Sequence, residues 1–415
     1  MSVDVNDENA LSSAISKHDV VISLIPYTYH AAVIKAACKH KVDVVTTSYV
    51  SDAIRELASE IEAAGITVMN EIGLDPGLDH LYAVKAIDEI HKQGGQVKSF
   101  LSYCGGLPAP EAADNPLGYK FSWSSRGVLL ALRNNGKFYQ APHKEPQVVS
   151  GVDLMKSAKP YYINPAFAFV AYPNRDSSTF RESYNIPEAE TVIRGTLRYA
   201  SFPQFVLALV KMGFLDDGDD AKTWLKHDSG LSWPQVTAKL LGNEDAKDAS
   251  ALTKAIEAKC SFANEDEKTQ VLNGLRWLGL MDAKQKVTVR GTPAQNKAGY
   301  GNPLDTLCAT LEEKCRYEPG ERDMVMLQHR FEIKAKDGSD QVLTSTLLDY
   351  GQSNGTTSMA KLVGVPCAVA TRLILEGNTA LKQKGKIVAP YTTEVCDPIR
   401  LELEKEGIVL QERYL

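Results

Sequence analysis

ITVMNEIGLDPGLDHL, residues 66–81, decides the fold. The apolar run Ile66, Val68 and Met69 leads to the turn-rich GLDPGLDH, Gly73 to His80, and an amphipathic pattern begins near Leu81. Strand, tight turn and helix in direct succession describe the carboxyl end of a strand in an open α/β sheet, where such sheets place their ligands. Gly73 and Gly77 permit positive φ or close backbone approach and Pro76 fixes one φ, so Asp75 is expected on a short, stiff, exposed loop. A carboxylate there can meet a substrate. An Asp before Pro in a D-P-G turn often only bonds its own backbone, and on this stretch alone that plain turn role is the better reading.

Outward from the turn the pattern repeats. Asn9 or Ser12 can cap a helix to about Lys17, and DVVISLIP, Asp19 to Pro26, is a solid apolar strand. A helix through Ala31, Ile34, Ala37 and Cys38 leads to a second strand, Val42 to Thr46. Another helix, Ser51 to Ala64, closes at the C-cap candidate Gly65 and feeds the strand of the opening stretch. Alternating helices and continuous apolar strands predict an α/β fold with a Rossmann-type, doubly wound parallel sheet. The GxGxxG turn that opens a dinucleotide fold occurs nowhere, since GYGNPL from Gly299 lacks the third glycine and a preceding strand. Met1 falls in or just before what reads as an inner strand. The first, phosphate-binding unit is therefore expected to be missing from the N-terminal domain.

Beyond Ser99 the character changes. SFLSYC reads as a strand, GGLPAP as a loop and VLLALRN as a helix, while FAFVAY, TVIRGTLRYA, MVMLQHRFEIKAKDG and QVLTSTLLDYG read as antiparallel strands. Asp337-Gly338 marks a hairpin. Residues 202–282 are mostly helical in pattern, so 81–358 is expected to be an α+β substrate and dimerisation domain with a helical insertion. A helix from about Ser358 to Leu375, a short strand Ile387 to Ala389 and a charged last helix return to α/β character. Residues 1–80 with 359–415 are the expected nucleotide-binding domain.

Composition bounds the function. With 415 residues, 44% hydrophobic and 24% charged, the chain is an ordinary globular one of about two to three domains. A net charge of −6 without a Lys/Arg block excludes a nucleic-acid surface as the main activity. Seven cysteines without a CxxC pair indicate neither a zinc ribbon nor a disulfide framework and fit a reducing compartment. No metal is expected, since no HExxH or paired Cys/His spacing occurs. The start lacks the features of a signal peptide, and no apolar run approaches the ~18 residues of a membrane span. A cytoplasmic protein with a small-molecule partner is expected.

Read together, VISLIPYTYH, VVTTSYV, NEIGLDPGLDH, SYCGGLPAPEAADNPLGYKFSWSSRG, YPNRDS and RGTLRY resemble the saccharopine dehydrogenase family, in its NADP-dependent, glutamate-forming branch. The resemblance runs in order over nearly the whole chain and departs at the front, where the family has its glycine turn. It implies that 2-aminoadipate 6-semialdehyde and glutamate join as an imine that NADPH reduces to saccharopine, in lysine biosynthesis, by a homodimer.

That chemistry calls for acid/base groups at the reacting carbon, arginines for several carboxylates, and an apolar, hydroxyl-lined floor for the nicotinamide. By resemblance Asp75 is the acid/base or amine-binding group. Cys104 is the second candidate: a free thiol near a pKa of about 8.5 exchanges protons readily, and Gly105 and Gly106 would let substrate approach the backbone. A small buried strand residue is the other reading of Cys104. Ser48 and Tyr49 can bond an amino or carboxylate group, Tyr49 serving equally as an amphipathic plug at a core edge. Arg175 and Arg198, with Thr196 and Leu197, match the substrate-carboxylate positions. Ser23, Leu24, Ile25, Thr46 and Thr47 would line the nicotinamide and ribose, and Gly73, Leu74 and Asp75 with Phe121, Ser122 and Trp123 would close over it. Trp123 has a core role as its equal alternative. His80, alone at a helix start, reads as a cap or core residue. Two further readings are a silent homologue acting as a binding or dimerisation partner, and a related oxidoreductase acting on another amino-acid imine.

Overall fold

The computed structural model describes residues 2–245, 248–282, 284 and 286–415. Its first part runs α1 (Glu8–Ile15), β1 (Val20–Ser23), α2 (His30–His40), β2 (Asp43–Thr46), α3 (Asp52–Arg55), α4 (Ala58–Ala64), β3 (Thr67–Met69) and α5 (Leu78–Lys92). Asp7 caps α1 by accepting from the amides of Asn9 and Ala10, and Gly65 ends α4 in the left-handed conformation. The expected single helix over 51–64 is two, because the chain loosens at Glu56–Leu57 to bury Leu57 beside Ile54 and Ile61.

Next come β4 (Gln96–Pro108), α6 (Ser125–Ala131), β5 (Gly136–Phe138), β6 (Gln147–Val149), β7 (Lys159–Pro160), β8 (Phe169–Pro173), α7 (Phe180–Ser183) and β9 (Thr191–Tyr199). The helical segment holds α8 (Phe202–Met212), α9 (Trp233–Leu240), α10 (Ala249–Lys259), α11 (Glu265–Trp277), α12 (Pro293–Lys297) and α13 (Pro303–Lys314). The chain ends with β10 (Asp323–Lys334), β11 (Asp340–Tyr350), α14 (Ser358–Leu375), β12 (Lys386–Val388), α15 (Thr393–Lys405) and β13 (Gln411–Tyr414).

Two main sheets result. The parallel sheet has the order β1-β2-β3-β12 and is covered on both faces: Val44 and Val68 pack with Val33, Ile34, Ile54 and Ile61, while Val45 and Met69 face the side covered by α5 and α14. That is the expected doubly wound class. The larger sheet has the order β13-β11-β10-β4-β9-β8-β7 and is antiparallel except for β4 with β9. One of its faces packs on the helical segment through Tyr103, Leu107, Leu197 and Met326, and the other on α5 and α14 through Phe100, Val192, Leu327 and Phe331. The last 58 residues serve both sheets, since β12 extends the parallel one and β13 edges the mixed one.

Several expectations are corrected. Residues 2–4 form no strand, and β1 is an edge strand whose Ile22 is 43% exposed. GGLPAP is no loop at its start, because Gly105 and Gly106 continue β4. One helix, Ser358–Leu375, is after all long and apolar enough for a bilayer, with mean hydropathy 1.5 over 18 residues. Half of that window is buried, against β1, β2 and β10. A helix shared by two sheets must be apolar on more than one side.

Candidate active site

The carboxyl ends of β1, β2 and β3 lie side by side. The loops leaving β2 and β3 reach across to β9 through Tyr49, Asp75 and Asp79. The 73–77 loop is sterically fixed: Gly73 N donates to Pro76 O at 2.9 Å and Leu78 N to Gly73 O at 2.8 Å. Gly77 sits at φ +143°, where a Cβ would stand 2.2 Å from Gly73 N, so no other residue fits this loop. Asp79 closes it by accepting from Gly77 N at 2.7 Å.

So held, Asp75 does not bond its own backbone. Its Oδ1 accepts from Tyr49 Oη at 2.7 Å and from Arg194 Nη2 at 2.8 Å. The same guanidinium donates to Asp79 Oδ2 and lies 3.1 Å from Tyr49 Oη. Nor is the loop exposed as expected, for the side chains of Asp75, Asp79 and Arg194 are 19%, 1% and 5% exposed. Burial pushes the Asp75 carboxyl up, the Asp79 charge adds to this, and Arg194 opposes both. Burial also holds the Tyr49 hydroxyl far above its ordinary value, so it stays a donor.

Strand β9 continues past this cluster. Thr196, paired with Cys104 on β4, accepts from Asn174 Nδ2 at 2.9 Å, and the buried Leu197 gives its carbonyl to Arg198 Nη1 at 2.8 Å. Arg198 is 7% exposed and lies 4.9 Å and 5.2 Å over the rings of Tyr119 and Phe202. Among the described residues no carboxylate lies within 4.0 Å of it, and its Nε has no partner. A buried cation left in this state is completed by an anion. Arg175 is exposed and stacks over the Tyr49 ring at 4.5 Å, which brings a second guanidinium to the Asp75 side.

Cys104 is corrected in two respects. Burial pushes its thiol well above the ordinary range, with the charges of Asp75 and Asp79 adding, so it does not exchange protons readily. The flanking glycines do not open space for substrate: a Cβ on Gly105 would meet Leu197 at 2.9 Å, and one on Gly106 would meet the Met359 methyl at 2.3 Å. They let β9 and α14 approach β4.

The cofactor-side positions fall into two groups. Ser23, Thr46 and Thr47 lie at the ends of β1 and β2, and Thr47 also packs under Gly73, whose Cβ would stand 3.1 Å from Thr47 Cβ. Leu24 and Ile25, 61% and 37% exposed, form an apolar shelf beside those hydroxyls. Such a shelf fits a flat nicotinamide ring and its ribose. Leu74 is buried beneath the loop. Of the other three, Phe121 meets Tyr119, the ring under Arg198, at 5.1 Å, and Trp123 lies across Gly127.

Three features escaped the sequence. Arg194 stands in the quoted RGTLRY, and strand alternation sets it on one side with Thr196; that signal was available. Glu71, at φ +62°, accepts from Val50 N at 3.1 Å, His80 Nε2 at 3.0 Å and Tyr391 Oη at 2.7 Å, and so ties the β2 loop to α5 and to the C-terminal segment. Burial alone would raise its carboxyl, but the His80 bond and charge outweigh that and hold it low. His80, fully buried, also bonds Tyr184 Oη at 2.5 Å. No sequence spacing pairs Glu71 with residue 391. His30, beneath Ser23, gave no signal either.

A family model described as "Saccharopine dehydrogenase NADP binding domain" matches residues 1–69, and one described as "Saccharopine dehydrogenase C-terminal domain" matches residues 73–408. The saccharopine dehydrogenase (NADP(+), L-glutamate-forming) of Schizosaccharomyces pombe is 56% identical over 416 residues, covering 100% of this chain and 88% of the relative. The Saccharomyces cerevisiae protein of the same name is 54% identical over 414 residues, with the same coverage of both. The solved apo, histidine-tagged saccharopine dehydrogenase (L-Glu forming) from Saccharomyces cerevisiae superimposes with a TM-score of 0.84 at 52% identity, covering 100% of this chain and 89% of that one. On both family models, these relatives and the shared fold, the chain belongs to the saccharopine dehydrogenase family.

Proposed function

We propose that this chain joins 2-aminoadipate 6-semialdehyde to glutamate and reduces the resulting imine to saccharopine with NADPH, as a reversible step of lysine biosynthesis. The observation that carries the reading is Arg198, a buried guanidinium without a carboxylate, on the same strand as Arg194, the partner of Asp75. A product with several carboxylates supplies what it lacks. Identity of 56% to a named enzyme, over the whole of this chain and 88% of that enzyme, favours this over a silent binding partner.

The chain's own groups divide the work. Arg198 and Arg175 take substrate carboxylates at the two ends of the site, and Thr196 and Ser48 offer hydroxyls between them. Asp75, with its pKa raised by burial and by Asp79, takes the proton that the attacking amine loses and returns one to the carbinolamine oxygen, which leaves as water. Tyr49 holds the Asp75 oxygen in place through its hydroxyl. Ser23, Leu24, Ile25, Thr46 and Thr47 would hold the nicotinamide and ribose. Bound NADPH supplies the hydride to the imine carbon. We further propose a cytoplasmic location, supported by seven cysteines that are all free thiols.

The test follows NADPH absorbance with the purified chain. Oxidation that requires both the semialdehyde and glutamate, and that yields saccharopine by mass, is the expected result. No oxidation with both present overturns the reading.

A further inference from the structure

One imidazole joins the two halves of this site. His30, the first residue of α2, is 1% exposed. Its Nδ1 lies 2.7 Å from Ser23 Oγ, and its Nε2 lies 2.9 Å from Ser48 Oγ and 3.0 Å from Thr46 Oγ1. Thr46 Oγ1 also accepts from Ser48 N at 3.3 Å, which keeps the two hydroxyl residues of the β2 loop together. On the functional reading above Ser23 stands on the cofactor side and Ser48 on the substrate side, and among the described residues His30 is the side chain that bonds both.

A neutral imidazole has one N–H donor and one acceptor nitrogen, and its two hydrogen-bond roles are complementary. Burial favours the neutral ring by lowering its pKa. With the proton on Nδ1, the ring donates to Ser23, whose own hydroxyl proton is then free for the cofactor, while the Ser48 hydroxyl, the nearer of the two at 2.9 Å, points into Nε2. Ser48 then presents lone pairs, which suit an amine N–H. With the proton on Nε2, Ser23 points into Nδ1 and can only accept from the cofactor, and Ser48, now receiving a proton from the ring, can donate to a carboxylate. The two states carry the same net charge and differ in the place of one proton.

We propose that His30 is a positioning residue that couples cofactor and substrate binding: the hydrogen bond NADP(H) makes at Ser23 selects the ring tautomer, and the tautomer selects whether Ser48 offers substrate a proton or a lone pair. The inference rests on the functional reading above for the identity of both ligands. It predicts thermodynamic coupling carried through the ring, beyond what direct contact of the two ligands at the reacting carbon contributes, and such coupling is reciprocal.

Calorimetric titration of saccharopine into the chain, alone and with saturating NADP+, measures it. In wild type, NADP+ should change the saccharopine Kd by about five-fold or more. In H30N, whose amide reaches only toward Ser23, and in H30Q, whose amide reaches only toward Ser48 and Thr46, the change should fall to less than about half its wild-type factor, while each ligand alone still binds within about ten-fold of wild type. S23A cuts the relay at its far end and leaves the ring in place, so it should decouple as well even if both His30 variants fail to fold. A loss of packing alone would weaken each ligand and leave their coupling standing. Wild-type coupling below about two-fold, or coupling retained in S23A and in either folded His30 variant, overturns the proposal. A wild-type chain that binds neither ligand overturns the functional reading, and this proposal with it.

Discussion

Arg194 and Arg198 stand four residues apart on β9, both almost fully buried, yet they live in opposite electrostatic states. Arg194 has two carboxylates and a phenol around one nitrogen, and Arg198 has two aromatic rings and a carbonyl. A buried charge without an opposite charge is costly, and a fold retains one where a ligand completes it. On the proposed function, the paired end is architecture that also tunes Asp75, and the unpaired end is where a substrate carboxylate binds. Each substitution below tests that division.

The largest effect is expected at the paired end. Arg194→Met leaves Asp75 and Asp79 facing each other in a buried site, and breaking a buried pair from one side costs about 3–5 kcal/mol. Urea unfolding should show that loss, and activity should fall with it. A variant as stable as wild type would mean that Arg194 is no structural partner.

Arg198→Met should do the reverse. It removes a charge that no protein group balances, so stability should change by less than about 1 kcal/mol or rise. Saccharopine affinity should fall by about 2–4 kcal/mol in calorimetry. Stability loss with affinity intact would place Arg198 in the core and not in the site.

Asp75→Asn sits between the two ends. It should lower kcat by about a hundred-fold with a smaller change in KM, because the group acts on protons in flight. The pH dependence has a definite sign. The folded pKa of Asp75 is raised, so the folded state holds that proton more tightly, and stability falls as pH rises from the ordinary aspartate range through the folded pKa. Asp75→Asn should flatten that fall in urea titrations across pH. Glu71 has the opposite sign: its lowered pKa contributes stability that is lost only as pH falls through the folded value.

The same contrast explains what was legible in the sequence. Continuous apolar strands and capped helices are local, and the parallel sheet over Val20 to Met69 could be read from them with boundary errors of one to three residues. Gly77 was legible as a turn glycine, and the close approach of Gly73 shows why. The state of each charge was not legible. Asp75 and Arg194 are 119 residues apart, and His30 and Ser48 are 18 apart on separate elements. No spacing rule reaches so far. Cys104 misled for the same reason: its flanking glycines signal close approach, but only packing shows that Leu197 and Met359 are what approaches. Strand β13 was unreadable because its four residues, QERY, are all exposed and owe their pairing to β11.

Arg175 gives the smallest effect and the finest test of the comparison. It carries the same charge as Arg198, and the family resemblance assigned both to substrate carboxylates, but its guanidinium is exposed and stacked on Tyr49. A solvated cation loses less when a carboxylate departs, because water replaces the partner. An exposed cation–π contact adds only a few-fold in affinity, so Arg175→Ala should weaken saccharopine by about two- to five-fold. Arg175→Lys should restore most of that loss if charge is what matters, and little if the flat stack on Tyr49 is what matters. A loss at Arg175 as large as that at Arg198 would show that the site closes over Arg175 when substrate binds. Burial in the free protein would then no longer rank the two arginines.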